Sequence, residues 1–178
     1  MLSFHIVAER DHDGPAIDRL LDRSFGPERH QRTVYRLRDG VAPVPDLRFV
    51  AVDDAGALLA SLRFWPIRIE GVPALLFGPL AVDPKQRNQG LGRALLRHGL
   101  SEARRAGHRL CLVSGAPDYY RPYGFMPATP QGLVLPGPIE PERLQVLELT
   151  PGALEGVRGL IQPESAARQG TSRRSAYS

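Results

Sequence analysis

One cysteine, Cys111, stands in 178 residues, which excludes an internal disulfide and suits a reducing cytoplasm. No uninterrupted apolar run approaches the ~18 residues that a membrane span needs. The opening "MLSFHIVAER" has no basic stretch leading into an apolar one, so it does not read as a signal peptide. No Cys/His cluster has metal-ligand spacing, and no metal is expected. Internal repeats are absent. Charge is nearly balanced: 23 Lys and Arg against 19 Asp and Glu give a net charge of +4 and a pI near 9.7. Such an excess is compatible with nucleic acid, membrane surfaces or anionic cofactors and selects none of them. What remains, 42% hydrophobic and 24% charged residues, describes a globular chain of one ordinary domain with a real core.

The order of elements is read from apolar periodicity and turn chemistry. "SFHIVAE" alternates as a first strand, and Ile17, Leu20, Leu21 and Phe25 recur at helical spacing. Gly26-Pro27 breaks that helix, and "ERHQRTVYRLRDG" reads as a second short helix closed by Gly40. Residues 47–84 read as three successive strands, divided by Asp-Asp-Ala-Gly and by Glu-Gly-Val-Pro. A long helix at 90–106, a buried strand at 109–114, and a turn or short helix at 117–123 follow. Pro and Gly crowd 126–143, with a short strand at 132–135, and "RLQVLEL" is a last strand. From Pro163 the chain loses apolar periodicity, so residues 1–162 form the expected domain and 163–178 an expected disordered tail. Two helices, an antiparallel meander, and then helix, strand and further strands make a mixed α/β, or α+β, layered fold.

One stretch carries chemistry, "AVDPKQRNQGLGRALLRHGL" at residues 81–100. At roughly 100° per residue, Leu91, Gly92, Leu95, Leu96, Gly99, Leu100 and Ala103 share one helix face, with Arg93, Arg97, Arg104 and Arg105 opposite. The helix therefore packs on a sheet, and its N-terminus, where N–H groups and the positive dipole end converge, is an anion site. Gly90 and Gly92 remove side chains that would hold a diphosphate away, while Lys85 and Arg87 add positive charge. A Walker loop fails because Arg93-Ala94 follows Gly92 in place of Lys-Ser/Thr. A Rossmann fingerprint fails because Leu95 occupies the third small-residue position and a meander precedes the loop.

The third pattern, Arg87-x-x-Gly90-x-Gly92 after a "V-x-P" strand end, resembles the coenzyme A loop of the GNAT superfamily of N-acetyltransferases. "SGAPDYYRPYGFMPA" at 114–128 resembles that superfamily's other signature, with Tyr120, Gly124 and Phe125 at the matching positions. Element order agrees over residues 3 to 149, with motif matching at 80–92 and 119–125. The resemblance implies a single-domain fold whose mixed, mostly antiparallel sheet splays in the middle, with helices on both faces. It implies acetyl-CoA as cosubstrate and a primary amine, of a small molecule or a protein, as acceptor. Coenzyme contacts carried over are Leu80, Ala81 and Val82 on the strand, and Arg87, Asn88, Gln89, Gly90, Leu91, Gly92 and Arg93 on the loop. Tyr120 carries over as the general acid that protonates the leaving thiolate; a phenol with a reference pKa of about 10 holds its proton at neutral pH. Tyr119 and Tyr123 are its rivals.

Gly78-Pro79 inside an otherwise regular strand predicts a bulge, with one ladder donor removed. The alternative is an edge strand blunted by proline. Many superfamily members place a Glu on this strand, but "PALLFGPLAV" contains no acid, which leaves Asp118, Glu28, a His, or a water relay near Ser114 as the base. His98 is expected at the edge of the charged helix face and His108 in a turn. Cys111 reads as a small core hydrophobe. The acceptor side is assigned to the two N-terminal helices and the late Pro/Gly-rich loops, with Phe64 and Trp65 as lining or core. A coenzyme A-binding sensor without turnover is the second functional reading, motivated by the missing carboxylate. Nucleic-acid binding through Arg93, Arg97 and Arg104 plus the basic tail is the third, and it is expected to be absent. The protein is expected in the cytoplasm, off the membrane, as a monomer or homodimer.

Overall fold

The computed structural model describes residues 2–164. Strands β1 (His5–Ala8), β2 (Arg48–Val52), β3 (Leu58–Ile69) and β4 (Val72–Val82) form an antiparallel meander. The turns between them follow local chemistry. Asp53 accepts hydrogen bonds from the backbone of Ala55 and Ala57 at 3.0 and 2.8 Å, closing the β2–β3 connection. Glu70 and Gly71 both sit at positive φ, +46° and +85°, which gives the two-residue reversal between β3 and β4 its primed-turn twist.

Helix α3 (Leu91–Arg105) crosses back over the sheet and returns the chain into β5 (Leu110–Ser114), parallel to β4. After the short α4 (Pro117–Tyr120) come β6 (Met126–Pro127), β7 (Leu133–Val134), β8 (Leu144–Glu148) and β9 (Gly159–Pro163). The sheet order is β1-β2-β3-β4-β5-β8-β6, and β9 pairs with β3 at Ile67–Ile69 and with β7.

Both faces are covered. On one, Leu91, Leu95, Leu96, Leu100 and Ala103 of α3 pack on Phe49, Ala51, Leu62 and Phe64. A Cβ at Gly99 would lie 2.8 Å from both Leu62 Cδ2 and Phe64 Cε2, so glycine lets the helix approach. On the other face, α1 (Gly14–Phe25) buries Ile17, Leu20 and Leu21 against Val50, Val52 and Ala81. Each such side chain contributes about 1.5–3 kcal/mol of transfer free energy. The later segments bury Leu133, Leu135, Ala153 and Ile161 against Ile67, Ile69 and Leu112 on the same side as α1.

The mixed, mostly antiparallel sheet with helices on both faces matches the expectation, and three details differ. The second helix is broken. Residues Pro27–Gln31 form a 3₁₀ turn, Arg32 is extended (φ −69°, ψ 143°), and α2 holds only Thr33–Arg36. β9 is an addition, supported by pairing with β3 and by the Glu70 carboxylate, which accepts from the Leu160 N–H at 3.0 Å. It also moves the expected domain end. Pro163 pairs with Ile67, and Glu164 accepts from Arg68 at 2.8 Å, so the folded unit reaches residue 164. The remainder of the expected tail lies outside the described residues.

Candidate active site

The two central parallel strands touch briefly. Only Leu75 and Leu76 of β4 pair with Cys111 and Leu112 of β5. Beyond them the strands part, because β4 is bulged at Gly78-Pro79. Phe64 pairs with Phe77 and Leu62 with Leu80, so Arg63 alone faces two residues of β4. Gly78 has φ +107°, a region favouring glycine, and the Gly78–Pro79 peptide is cis. The Gly78 carbonyl leaves the ladder and accepts the Trp65 indole N–H at 2.7 Å. Trp65 thus braces the bulge from behind, while Phe64 is wholly buried core.

The bulge has a consequence for backbone direction. Asp83 N–H donates to Leu59 O at 2.8 Å, which makes 59/83 and 61/81 the hydrogen-bonded pairs of this ladder. The intervening pairs, 60/82 and 62/80, are non-hydrogen-bonded, so the N–H and C=O groups of Leu80 and Val82 point away from β3. Their open side faces a groove of about 930 Å³ running between the parted strands.

At one end of the groove stands the α3 N-terminus. Gly90 caps it at φ +84°, Asn88 precedes it at φ +65°, and no side chain satisfies the first helical N–H groups. Asp83 accepts from Lys85 N–H at 3.0 Å and fixes the loop's entry. Arg87, Asn88, Gln89 and Arg93 are exposed around this end, while Leu91 is buried beneath it. A Cβ at Gly92 would lie 2.9 Å from Tyr119 Oη and 3.4 Å from Val82 Cγ2, so this cradle stays open only with glycine. Of the predicted coenzyme residues, Leu80 and Val82 line the groove; Ala81 points to the opposite face against α1, as strand alternation requires.

Tyr119 and Tyr120, on α4, form the wall across from β4. The Tyr120 ring lies edge-on to Phe77 and Phe125, with centroids 5.6 Å from each, and 4.9 Å from Tyr119. Gly115 makes room for it, since a Cβ there would sit 2.5 Å from Tyr120 Cε2. Burial is the main cause that raises the Tyr120 pKa well above the ordinary phenol range, with neighbouring Tyr119 adding to it. Gly124 takes φ +98° and turns the chain so that Phe125 is buried just before β6. Tyr123 instead lies under the Arg97 guanidinium, 5.8 Å from ring to carbon, and does not line the groove.

The base candidates fare differently. Asp118 is almost fully exposed beside Arg121, and neither it, Glu28 nor any histidine lines the groove, whereas Ser114 does. His98 packs edge-on against Phe49, with centroids 4.9 Å apart, so it is less solvated than its phase suggests. His108 follows the α3 turn; burial lowers its pKa. Cys111 is fully buried, and burial raises its thiol pKa far above the range of a reactive cysteine. Two groove residues were missed by sequence reasoning: Glu140, the carboxylate among the lining side chains, and Arg38, a buried arginine beside the bulge. Nothing local in "YRLRDG" or "PIEPER" marks either, because tertiary packing brings them together.

Residues 45–127 match the family model described as an acetyltransferase (GNAT) domain. The N-acetyltransferase YhbS of Escherichia coli (strain K12) is 37% identical over 153 residues, covering 84% of this chain and 90% of that protein. This chain belongs to the GNAT acetyltransferase family. Solved structures agree on the fold. YhbS from Escherichia coli in complex with CoA superposes with a TM-score of 0.80 at 34% identity, covering 92% of this chain and 91% of that one. A GNAT family acetyltransferase from Brucella melitensis, in complex with acetyl-CoA, gives 0.69 at 27% identity, covering 94% and 99%. In the GNAT fold seen here, no helix among the described residues is long and apolar enough to cross a membrane.

Proposed function

We propose that this protein transfers the acetyl group of acetyl-CoA to a primary amine by direct attack within a ternary complex, in the cytoplasm. The observation that carries the reading is the open half of β4. It offers outward backbone groups at Leu80 and Val82 in a groove that has an anion-binding helix end on one side and a half-buried tyrosine, Tyr120, on the other. The residues fit a coenzyme of this shape. The glycine cradle at Gly90 and Gly92 admits a diphosphate, and Lys85, Arg87 and Arg93 supply charge around it. The backbone of Leu80 and Val82 accepts an extended amide-bearing arm as an added strand. YhbS and the Brucella protein, crystallised with CoA and acetyl-CoA, support the same assignment.

Acetyl-CoA, when bound, supplies a thioester carbonyl and a thiolate leaving group. The Leu80 N–H faces the side on which that carbonyl would gain negative charge, and a fixed donor there stabilises it. Tyr120 holds its proton across the whole physiological pH range, as a general acid for a thiolate must. The acceptor ammonium must lose a proton before it attacks, and Ser114 and Glu140 are polar groups lining the groove that can pass it to water. Thiol release from acetyl-CoA, followed against a panel of amines, tests the reading: amine-dependent release supports it. Acetyl-CoA affinity with no release on any amine favours the alternative, a coenzyme-binding sensor, which the lack of an acid on β4 motivates.

A further inference from the structure

Four arginines that are at least partly buried are ion-paired. Arg63 donates to both carboxylate oxygens of Glu9 at 2.9 and 2.7 Å, and Arg68 to Glu164 at 2.8 Å. Arg10 is held by Asp13 at 2.8 Å, and Arg29 by Asp22. Arg38 differs from these four. It is 9% exposed, no carboxylate lies within 4 Å of it among the described residues, and its Nε and Nη1 have no hydrogen-bond partner. Its guanidinium is packed over Tyr35 and Trp65, with ring centroids 4.7 and 5.7 Å away. Aromatic faces attract a cation but do not neutralise it. Burial lowers its pKa to about 10, against a weaker opposing pull from Tyr35, so it remains charged at neutral pH.

An uncompensated buried charge is costly unless something else supplies the counter-charge. Arg38 lines the acceptor side of the groove, and its Nη2 lies 3.5 Å from where a Gly78 Cβ would stand, beside the bulge. Arg32, Arg36 and Arg143 line the same side, against the single carboxylate of Glu140. The anion site at the α3 N-terminus lies at the other end and has its own basic residues.

We infer that the acceptor is a small amine bearing an anionic group, a carboxylate or a phosphate, and that Arg38 recognises that group. The position of Arg38 beside the bulge requires the anion to stand only a few bonds from the amine, as in a short amino acid or an aminoalkyl phosphate. This deepens the acetyltransferase reading and rests on it.

Acetyl transfer to four primary amines of similar size tests it: β-alanine, O-phosphoethanolamine, ethanolamine and putrescine. Wild-type protein is expected to use one of the two anionic amines at least about tenfold better in kcat/KM than ethanolamine or putrescine, consistent with a hydrogen-bonded charge pair. Which anionic amine leads tells carboxylate from phosphate. In Arg38→Met the ratio of anionic to neutral kcat/KM falls to about one, through KM, and Arg38→Lys retains part of it. Equal or better use of ethanolamine or putrescine by wild type, or an undiminished ratio in Arg38→Met, overturns the inference and leaves the acetyltransferase reading standing. Turnover of none of the four, with acetyl-CoA still bound, counts against transfer itself. Calorimetric titration of β-alanine and O-phosphoethanolamine into the CoA-loaded protein then decides the subsite separately. Binding that Arg38→Met removes supports it, and no binding overturns it.

Discussion

Strand β4 has two halves that behave differently. At Leu75 and Leu76 it is paired on both edges, with β3 and with β5. From Phe77 to Val82 it is paired with β3 alone, and its other edge opens on the groove. The change falls at Gly78-Pro79, where a bulge, a residue at φ +107° and a side-chain clamp from Trp65 coincide. At Leu75 and Leu76 the backbone is flanked by a strand on each edge. In the second half, alternate N–H and C=O groups are left for water or a ligand, which is tolerable only where one of them can reach. The binding surface is thus made by withholding a strand as much as by adding side chains.

Substitutions on either side of that divide should separate ligand effects from folding effects. Gly92→Glu puts bulk and negative charge in the cradle beside Tyr119. It should abolish acetyl-CoA binding, a loss of more than about 100-fold on the scale where 1.4 kcal/mol is tenfold, measured by calorimetry on protein of unchanged melting temperature. Tyr120→Phe should lower kcat by about 100-fold, within the range for a lost general acid, while acetyl-CoA affinity holds; wild-type turnover would move the acid role elsewhere. Gly99→Ala makes the opposite cut. Its methyl would meet Leu62 and Phe64 at 2.8 Å, so overpacking should cost about 1–3 kcal/mol in chemical denaturation and leave acetyl-CoA affinity as it was. Trp65→Phe removes the donor to Gly78 O and should cost about 1 kcal/mol in stability with a few-fold fall in kcat. The smallest effect is on pH dependence. Because the folded Tyr120 pKa is raised, its proton is retained as pH climbs through the ordinary phenol range. The kcat profile should therefore rise with amine deprotonation and show no falling limb below about pH 10; a limb there would mean that a group other than Tyr120 serves as the acid.

The two ends of the groove were unequally legible. The coenzyme end rests on short-range features. Glycines two apart at a helix start, apolar phase in α3, a Gly-Pro pair in a strand and Tyr120-x-x-x-Gly124-Phe125 each act through a few neighbouring residues, and each reads directly. The acceptor end is assembled from distant segments. Thr33 donates to Pro138 O at 2.6 Å across 105 residues, and it is this packing that breaks the expected second helix and buries Arg38 beside Tyr35. β9 was hidden for a similar reason. "GLIQP" is too short to announce itself and is a strand because the far end of β3 extends beyond β2. Periodicity reports what one element needs from a core, and it says little of which loops will meet over it.

Amide hydrogen exchange on β4, resolved by residue and followed with and without acetyl-CoA, tests the central claim most directly. In the free protein the Leu75 and Leu76 N–H groups should exchange slowly and those of Leu80 and Val82 quickly, since β5 ends before reaching them. Saturating acetyl-CoA should slow Leu80 and Val82 specifically and leave Leu75 and Leu76 unchanged. Slow exchange at 80 and 82 in the free protein, or no protection on binding, would contradict the assignment of this half-strand as the coenzyme's partner.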